Sequence, residues 1–254
     1  MKLLWWQVRY EQKAFWRNPA RAVFTFAFPL MFLVIFSSLN SGDTIDFLGG
    51  LAYNQYFIPA IIAFGIMSAT YSELAITVSM RRQSGQLKRS RTTPLPAWAV
   101  LAALLLNSAV IAALITALTT GLGMLAYDVT FPGHYVALAL ALTVGAMTFS
   151  ALGIMVATFV PNADAAPPVV NAVFFPILFL SGTFFPVRPD STVAHIANVF
   201  PARHFNLAVF DAFDPRAAHG LAHGFAWNHL AVMLVWGVAA GVIAVRRFRW
   251  EPSH

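Results

Sequence analysis

Cysteine is absent from this sequence, which excludes disulfides and thiolate metal sites and leaves the redox compartment uninformed. Charge is scarce as well: 10% of the 254 residues are Asp, Glu, Lys or Arg, against roughly a quarter in a soluble domain. No Gly-Lys dipeptide occurs, so there is no GxxxxGK[ST] phosphate loop and no ATP site of that kind; GxSxG and HExxH are missing too. The N-terminal stretch has no compact apolar core and no small-residue cleavage site, so it does not read as a cleavable signal peptide. What fills the chain instead is apolar: 59% hydrophobic residues, with a mean hydropathy of +0.68.

Several apolar runs exceed the length of about 18 residues that marks a membrane-spanning helix. Six spans are expected, at residues 22–39, 57–80, 97–126, 135–160, 169–185 and 227–245. The fold class is therefore an all-α polytopic membrane protein, with residues 1–254 forming a single transmembrane domain. Before the first span, residues 2–17 place Leu4, Val8 and Phe15 on one stripe, with Trp5 and Trp16 beside it. Arg9, Lys13 and Arg17 recur on another face. That pattern suits an interfacial amphipathic helix within residues 1–21, with its cations toward anionic headgroups. An ordinary cytosolic helix is the alternative.

Thirteen of the sixteen Lys and Arg residues fall before the first span, within 81–91 or after the last span. The positive-inside rule then makes both termini and the 81–96 loop cytoplasmic, in a cell (plasma) membrane. The net charge of +6 is explained by this flanking arrangement and by anionic lipid, so no nucleic-acid partner is expected. The 186–226 loop, on the outer side, holds two apolar segments broken at Pro201. They read either as short re-entrant-like helices dipping into the outer leaflet or as a small lid on the surface.

Glu73 is a carboxylate well inside the second span, about 12 Å of helix from Arg81. Facing lipid would cost it about 2.5–3.5 kcal/mol or more, so it should face protein or a wet cavity. It lines a pathway or pairs internally with a polar residue such as Asn107 or Asn171. His219, His223 and His229 cluster in HGLAHGFAWNH; they suit either a metal with Asp211 or Asp214, or plain interfacial packing, and no metal site is assigned. Gly121-x-Gly123 and Gly237-x-x-x-Gly241 lie in apolar spans and read as close-packing faces.

The basic loop carries Arg81, Arg82, Lys88, Arg89 and Arg91 with no acid among them, and such a segment lies in water. Its residues Arg82, Gly85, Leu87, Arg89, Thr93, Pro94 and Leu95 match the Arg-x-x-Gly-x-Leu-x-Arg…Thr-Pro-Leu pattern found after the second span of ABC type-2 exporter permeases. The resemblance is to the daunorubicin-resistance and nodulation-factor kind. Arg17-Asn18-Pro19, the Leu180-Ser-Gly-Thr-Phe-Phe-Pro186 stretch and the closing Arg246-Arg-Phe-Arg-Trp250 are similar to that family's motifs in the same order. One departure is the absence of an acidic residue before the loop glycine, where Arg82-Gln83-Ser84 stands.

The resemblance implies a permease subunit of an ATP-driven exporter: a second permease copy (a homodimer), two ATP-binding cassette subunits, and membrane lipids around them. This chain would hold no cofactor, with ATP and Mg in the partner. The coupling segment would include Arg82, Gln83, Gly85, Gln86, Leu87, Lys88, Arg89, Thr93 and Pro94. A pathway for a drug, lipid or lipid-linked cargo would use Glu73, Asn171, Phe174, Phe175 and Phe179 along spans two and five. An exit would use Ser181, Gly182, Phe184, Phe185 and Pro186. The rival readings are a proton-coupled carrier or channel using Glu73 and a membrane enzyme using the histidine cluster.

Overall fold

In the computed structural model, residues 2–86, 97–130, 133–216 and 224–247 are described. Asn18-Pro19 separates the first two helices. Helix α1 runs Lys2–Trp16 and α2 runs Pro19–Leu39. The Asn18 side chain accepts from the Arg21 N–H at 3.1 Å and Pro19 occupies the first turn, where its missing N–H costs nothing. The first span thus begins at Pro19, earlier than hydropathy alone suggests, and Arg21 belongs to it.

Residues 40–52 carry a two-stranded hairpin, β1 Thr44–Ile45 against β2 Leu51–Ala52, closed over the left-handed Gly49. Helix begins again at Tyr53, before the expected start of the second span. This span is α3 Tyr53–Met67, a π-helical turn at Ser68–Ser72, and α4 Glu73–Gln83. Next come α5 Ala97–Tyr127 and α6 Tyr135–Ala157. Helix α7 spans Ala166–Leu180, with Pro167 and Pro168 accommodated in its first turn. The short α8, Thr192–Ala197, is capped by Ser191; α9 Pro201–Phe213 and α10 Trp227–Arg247 follow.

Five of these segments are long and apolar enough to cross a membrane, α3 and α4 acting as one. The fifth expected span, 169–185, is the exception. Helix α7 has 15 residues, about 22 Å, against a hydrocarbon core of about 30 Å. It stops at Leu180 because Gly182 takes a left-handed φ of 85°. Ser181, Gly182, Thr183 and Phe184 then run inward as buried non-helical chain.

Helix α3 forms the centre: Phe57, Ile58, Ile61, Ile62 and Ile66 are fully buried. Helix α9 packs into the same core against α3, α6 and α10, with Phe205, Val209 and Phe213 fully buried. It is an integral part of the bundle, whereas α8 presents Val193 and Ile196 outward. Several close approaches depend on glycine. A side chain at Gly153 of α6 would meet the Tyr71 carbonyl oxygen of the π turn at 2.6 Å, one at Gly145 would enter the Phe205 ring, and one at Gly123 would meet Ile58. Of the Gly237/Gly241 pair, Gly237 lies against Thr148, whereas Gly241 has no neighbouring atom within 4 Å.

Candidate coupling end and membrane seam

The last turn of α4 holds three polar side chains, and each is committed to a different neighbour. Arg81 donates two hydrogen bonds to the Glu11 carboxylate of α1, at 2.8 and 2.6 Å, with Gln7 Nε2 donating to the same group at 3.0 Å. Glu11 is 3% exposed, so the pair is held away from water. Arg82 is buried; its guanidinium donates to the carbonyls of Ala157 at 3.1 Å and Val160, the unpaired C-terminal end of α6. The Gln83 side-chain oxygen accepts from the Ala163 N–H in the α6–α7 turn. Gly85, left-handed at φ 68°, then ends the helix. Three separate segments, α1, the end of α6 and the α6–α7 turn, therefore converge on residues 81–83.

Of the expected coupling residues, Arg82 is turned inward, Gln83 is tied to the turn, and Gly85 and Gln86 lead out of the helix. Leu87, Lys88, Arg89, Thr93 and Pro94 lie outside the described residues. What the sequence did not disclose was Glu11, the one acid on an otherwise basic N-terminal helix. Its isolation among cations was the available signal.

Glu73 faces protein, but its partner is neither Asn107 nor Asn171. Its carboxylate lies 2.5 Å from the Arg21 guanidinium, which also reaches Thr77 and covers the Phe15 ring at 5.4 Å. The sequence reading grouped Arg21 with the cations before the first span and so overlooked it. The Asn18-Pro19 cap, which puts residue 21 in the first turn of α2, was the clue.

The aromatic residues assigned to the pathway separate into two sets. Phe174 is buried, stacked on Tyr71 at 5.3 Å and near Phe64 at 6.5 Å. Phe184 is buried among Phe32, Phe36, Phe64 and Phe179. Together these rings form a seam joining α2, α3, α7 and the chain after it. Phe175, Phe179 and Phe185 keep exposed faces, while Asn171 and Pro186 are half-buried. The chain after α7 is fastened by polar contacts. Tyr56 Oη donates to the Gly182 carbonyl at 2.6 Å, Asn206 Nδ2 to the Ser181 carbonyl at 3.3 Å, and Ser181 Oγ to Leu178 at 2.6 Å.

At the opposite end from residues 81–83, Arg216 pairs with Asp214 at 2.8 Å and donates to the Leu48 carbonyl, tying the segment after α9 to the hairpin. That hydrogen bond from Arg216 holds the Asp214 carboxyl below its usual range. Asp211 has the reverse shift: burial, reinforced by the Asp214 charge, raises it to about 6. His229 of the proposed histidine cluster meets His204, Nδ1 to Nδ1 at 2.7 Å. Because His204 Nε2 faces the Asn198 carbonyl at 2.8 Å and must donate to it, His204 Nδ1 accepts and His229 Nδ1 donates. His219 and His223 lie outside the described residues. Among the described residues no group of three or more His, Asp or Glu could hold a metal ion.

With a bundle of apolar spans anchored on one basic end, the decisive comparison is with the known membrane families. The profile of the ABC-2 type transporter family matches residues 2–212. The chain belongs to that family. It is 23% identical over 214 residues to the putative transport permease YvfS of Bacillus subtilis (strain 168), covering 83% of this chain and 85% of that protein. It is also 23% identical over 156 residues to the inner membrane transport permease YadH of Escherichia coli (strain K12), covering 61% of this chain and 60% of YadH. This ABC-2 chain is thus a multi-pass membrane permease, the transport-side subunit of an ABC transporter.

Proposed function

We propose that the chain exports a hydrophobic or amphipathic substrate (a drug, lipid or lipid-linked molecule) as one of two permease copies driven by two separate ATP-binding subunits. The observation that carries this reading is the convergence on Arg81, Arg82 and Gln83. A loop meant to transmit force must be rooted rigidly, and this root grips α1, α6 and the α6–α7 turn at once. Residues 83–92 would seat in the ATPase, with Gly85, Leu87 and Arg89 at the contact; ATP and Mg belong to that partner. The chain itself would perform no chemistry, and its basic ends would lie on the cytoplasmic side of the plasma membrane.

The second copy would dock on α2 and α7. Span two is enclosed by its own chain, so it is a poor candidate for lining a route between copies. Phe24, Leu39, Phe175 and Phe179 point outward from the other two helices. Cargo would then meet Phe175, Phe179 and Phe185 at that junction, leaving past Ser181–Pro186. The Arg21–Glu73 pair favours a structural role for Glu73 over proton coupling.

The test is co-purification from native membranes followed by ATP hydrolysis in proteoliposomes. A P-loop ATPase should travel with the wild-type chain. It should be lost on Gly85→Val, because a β-branched residue resists the left-handed backbone there. Transport by the isolated chain without ATP would overturn the proposal.

A further inference from the structure

A groove of about 940 Å³ runs between α5, α6 and α10, away from the aromatic seam. It exists because the facing positions are small: Ala109, Ala113, Ala146 and Ala151 on two helices oppose Gly237 and Gly241 on the third. Two of its three hydroxyls are spent internally. Thr143 Oγ1 donates to the Ala139 carbonyl and Thr148 Oγ1 to the Met233 carbonyl; Ser150 adds one hydroxyl to a lining that is otherwise hydrocarbon. Along α6 it extends from Ala139 to Ile154, about 22 Å at helical rise. One leaflet of a core about 30 Å thick is about 15 Å deep, so the groove is long enough for a full acyl chain. Its rims, Met147 at 65% and Val238 at 65% exposed, lie on helices long enough to span a membrane.

One end of the groove is charged. Thr148 meets Met233 and Gly237, and further on Arg247 lies 5.0 Å over the Phe159 ring, so α6 and α10 run parallel and finish together. Val245 is the last groove residue of α10, and Arg246 and Arg247 follow it directly. Among the described residues neither arginine has a carboxylate partner. A mostly apolar slot of acyl length that ends at two guanidiniums matches a molecule with a hydrocarbon tail and an anionic head.

We infer that this groove binds one acyl chain of an anionic glycerophospholipid, from the leaflet at the basic end, with its phosphate at Arg246 and Arg247. This site is separate from the aromatic seam, and its basic end adjoins the Arg82 anchor through Phe159 and Val160. Its role is to fill the space that Gly241 leaves between α10 and its neighbours.

The experiment places the purified full-length chain in phosphatidylcholine bilayers containing a trace of lipid spin-labelled near its chain end, as either phosphatidylglycerol or phosphatidylcholine. The motionally restricted fraction should favour phosphatidylglycerol by about fivefold per cation engaged. Arg246→Gln with Arg247→Gln should bring the two labels to near equality. Gly241→Leu, at a position with nothing within 4 Å, should lower the restricted fraction for both labels without lowering the melting temperature. Equal restriction of both labels by the wild-type chain would overturn the inference, as would an unchanged restricted fraction in Gly241→Leu. A disulfide between two copies carrying Gly241→Cys in this cysteine-free chain would also overturn it, showing a second copy in the groove.

Discussion

Consider reversing the charges of the Glu11–Arg81 pair, first singly and then together. Glu11→Arg alone puts two cations in a space where the carboxylate is 3% exposed, and Arg81→Glu alone puts two anions there. Breaking a buried pair by altering one partner costs about 3–5 kcal/mol, and the partial exposure of Arg81, 17%, moves the figure toward about 2–3 kcal/mol. For a chain of this size that corresponds to a fall of about 5–10 °C in melting temperature. The exchanged double variant restores opposite charges at the same separation and should recover most of the loss, because the interaction belongs to the pair. Melting of the three variants in nanodiscs measures the stability side. ATP hydrolysis by the assembled transporter measures whether α1 helps hold the coupling end. Single variants melting within about 2 °C of wild type would refute the reasoning, and so would a double variant no better than the worse single.

Other consequences can be checked in parallel. Gly153→Ala sets a methyl group 2.6 Å from the Tyr71 carbonyl oxygen, a backbone atom that cannot swing aside, and should cost about 1–3 kcal/mol on thermal unfolding. Arg82→Met should destabilise by about 2–4 kcal/mol, since the Ala157 and Val160 carbonyls lose their charged donor in a buried place. Asp211 gives a pH dependence. Its folded pKa, about 6, lies above the unfolded value of 3.8, so the folded chain holds the proton more tightly between those limits. Stability should therefore be highest below pH 4 for this group and fall as pH rises through 6. Asp211→Asn should remove that slope and raise neutral-pH stability by about 2 kcal/mol after allowance for solvent screening.

Helix existence was readable because hydrocarbon leaves a chain few choices: long apolar runs must satisfy their own backbone. Boundaries were less legible. Hydropathy placed the first span after Arg21, but a cap and a proline started it at Pro19, which carried an arginine inside to meet Glu73. Hydropathy also extended span five to Phe185, although Gly182 stops the helix and the apolar residues beyond it turn into the bundle. Apolar character is the same whether a residue faces lipid or protein, so the separation of Phe174 and Phe184 from Phe175, Phe179 and Phe185 could not be read from composition.

By itself the sequence determined that this is a polytopic helical membrane protein and that most of its cations flank its apolar spans. Those properties are sums over neighbouring residues, and neighbours are what a sequence records. The tertiary structure alone decided which residues meet across the chain: Glu11 with Arg81, Arg21 with Glu73, Arg82 with the end of α6 and Gln83 with the α6–α7 turn. Each pairing joins residues at least fifty positions apart, and their encounter is set by how the helices pack, which no local pattern encodes.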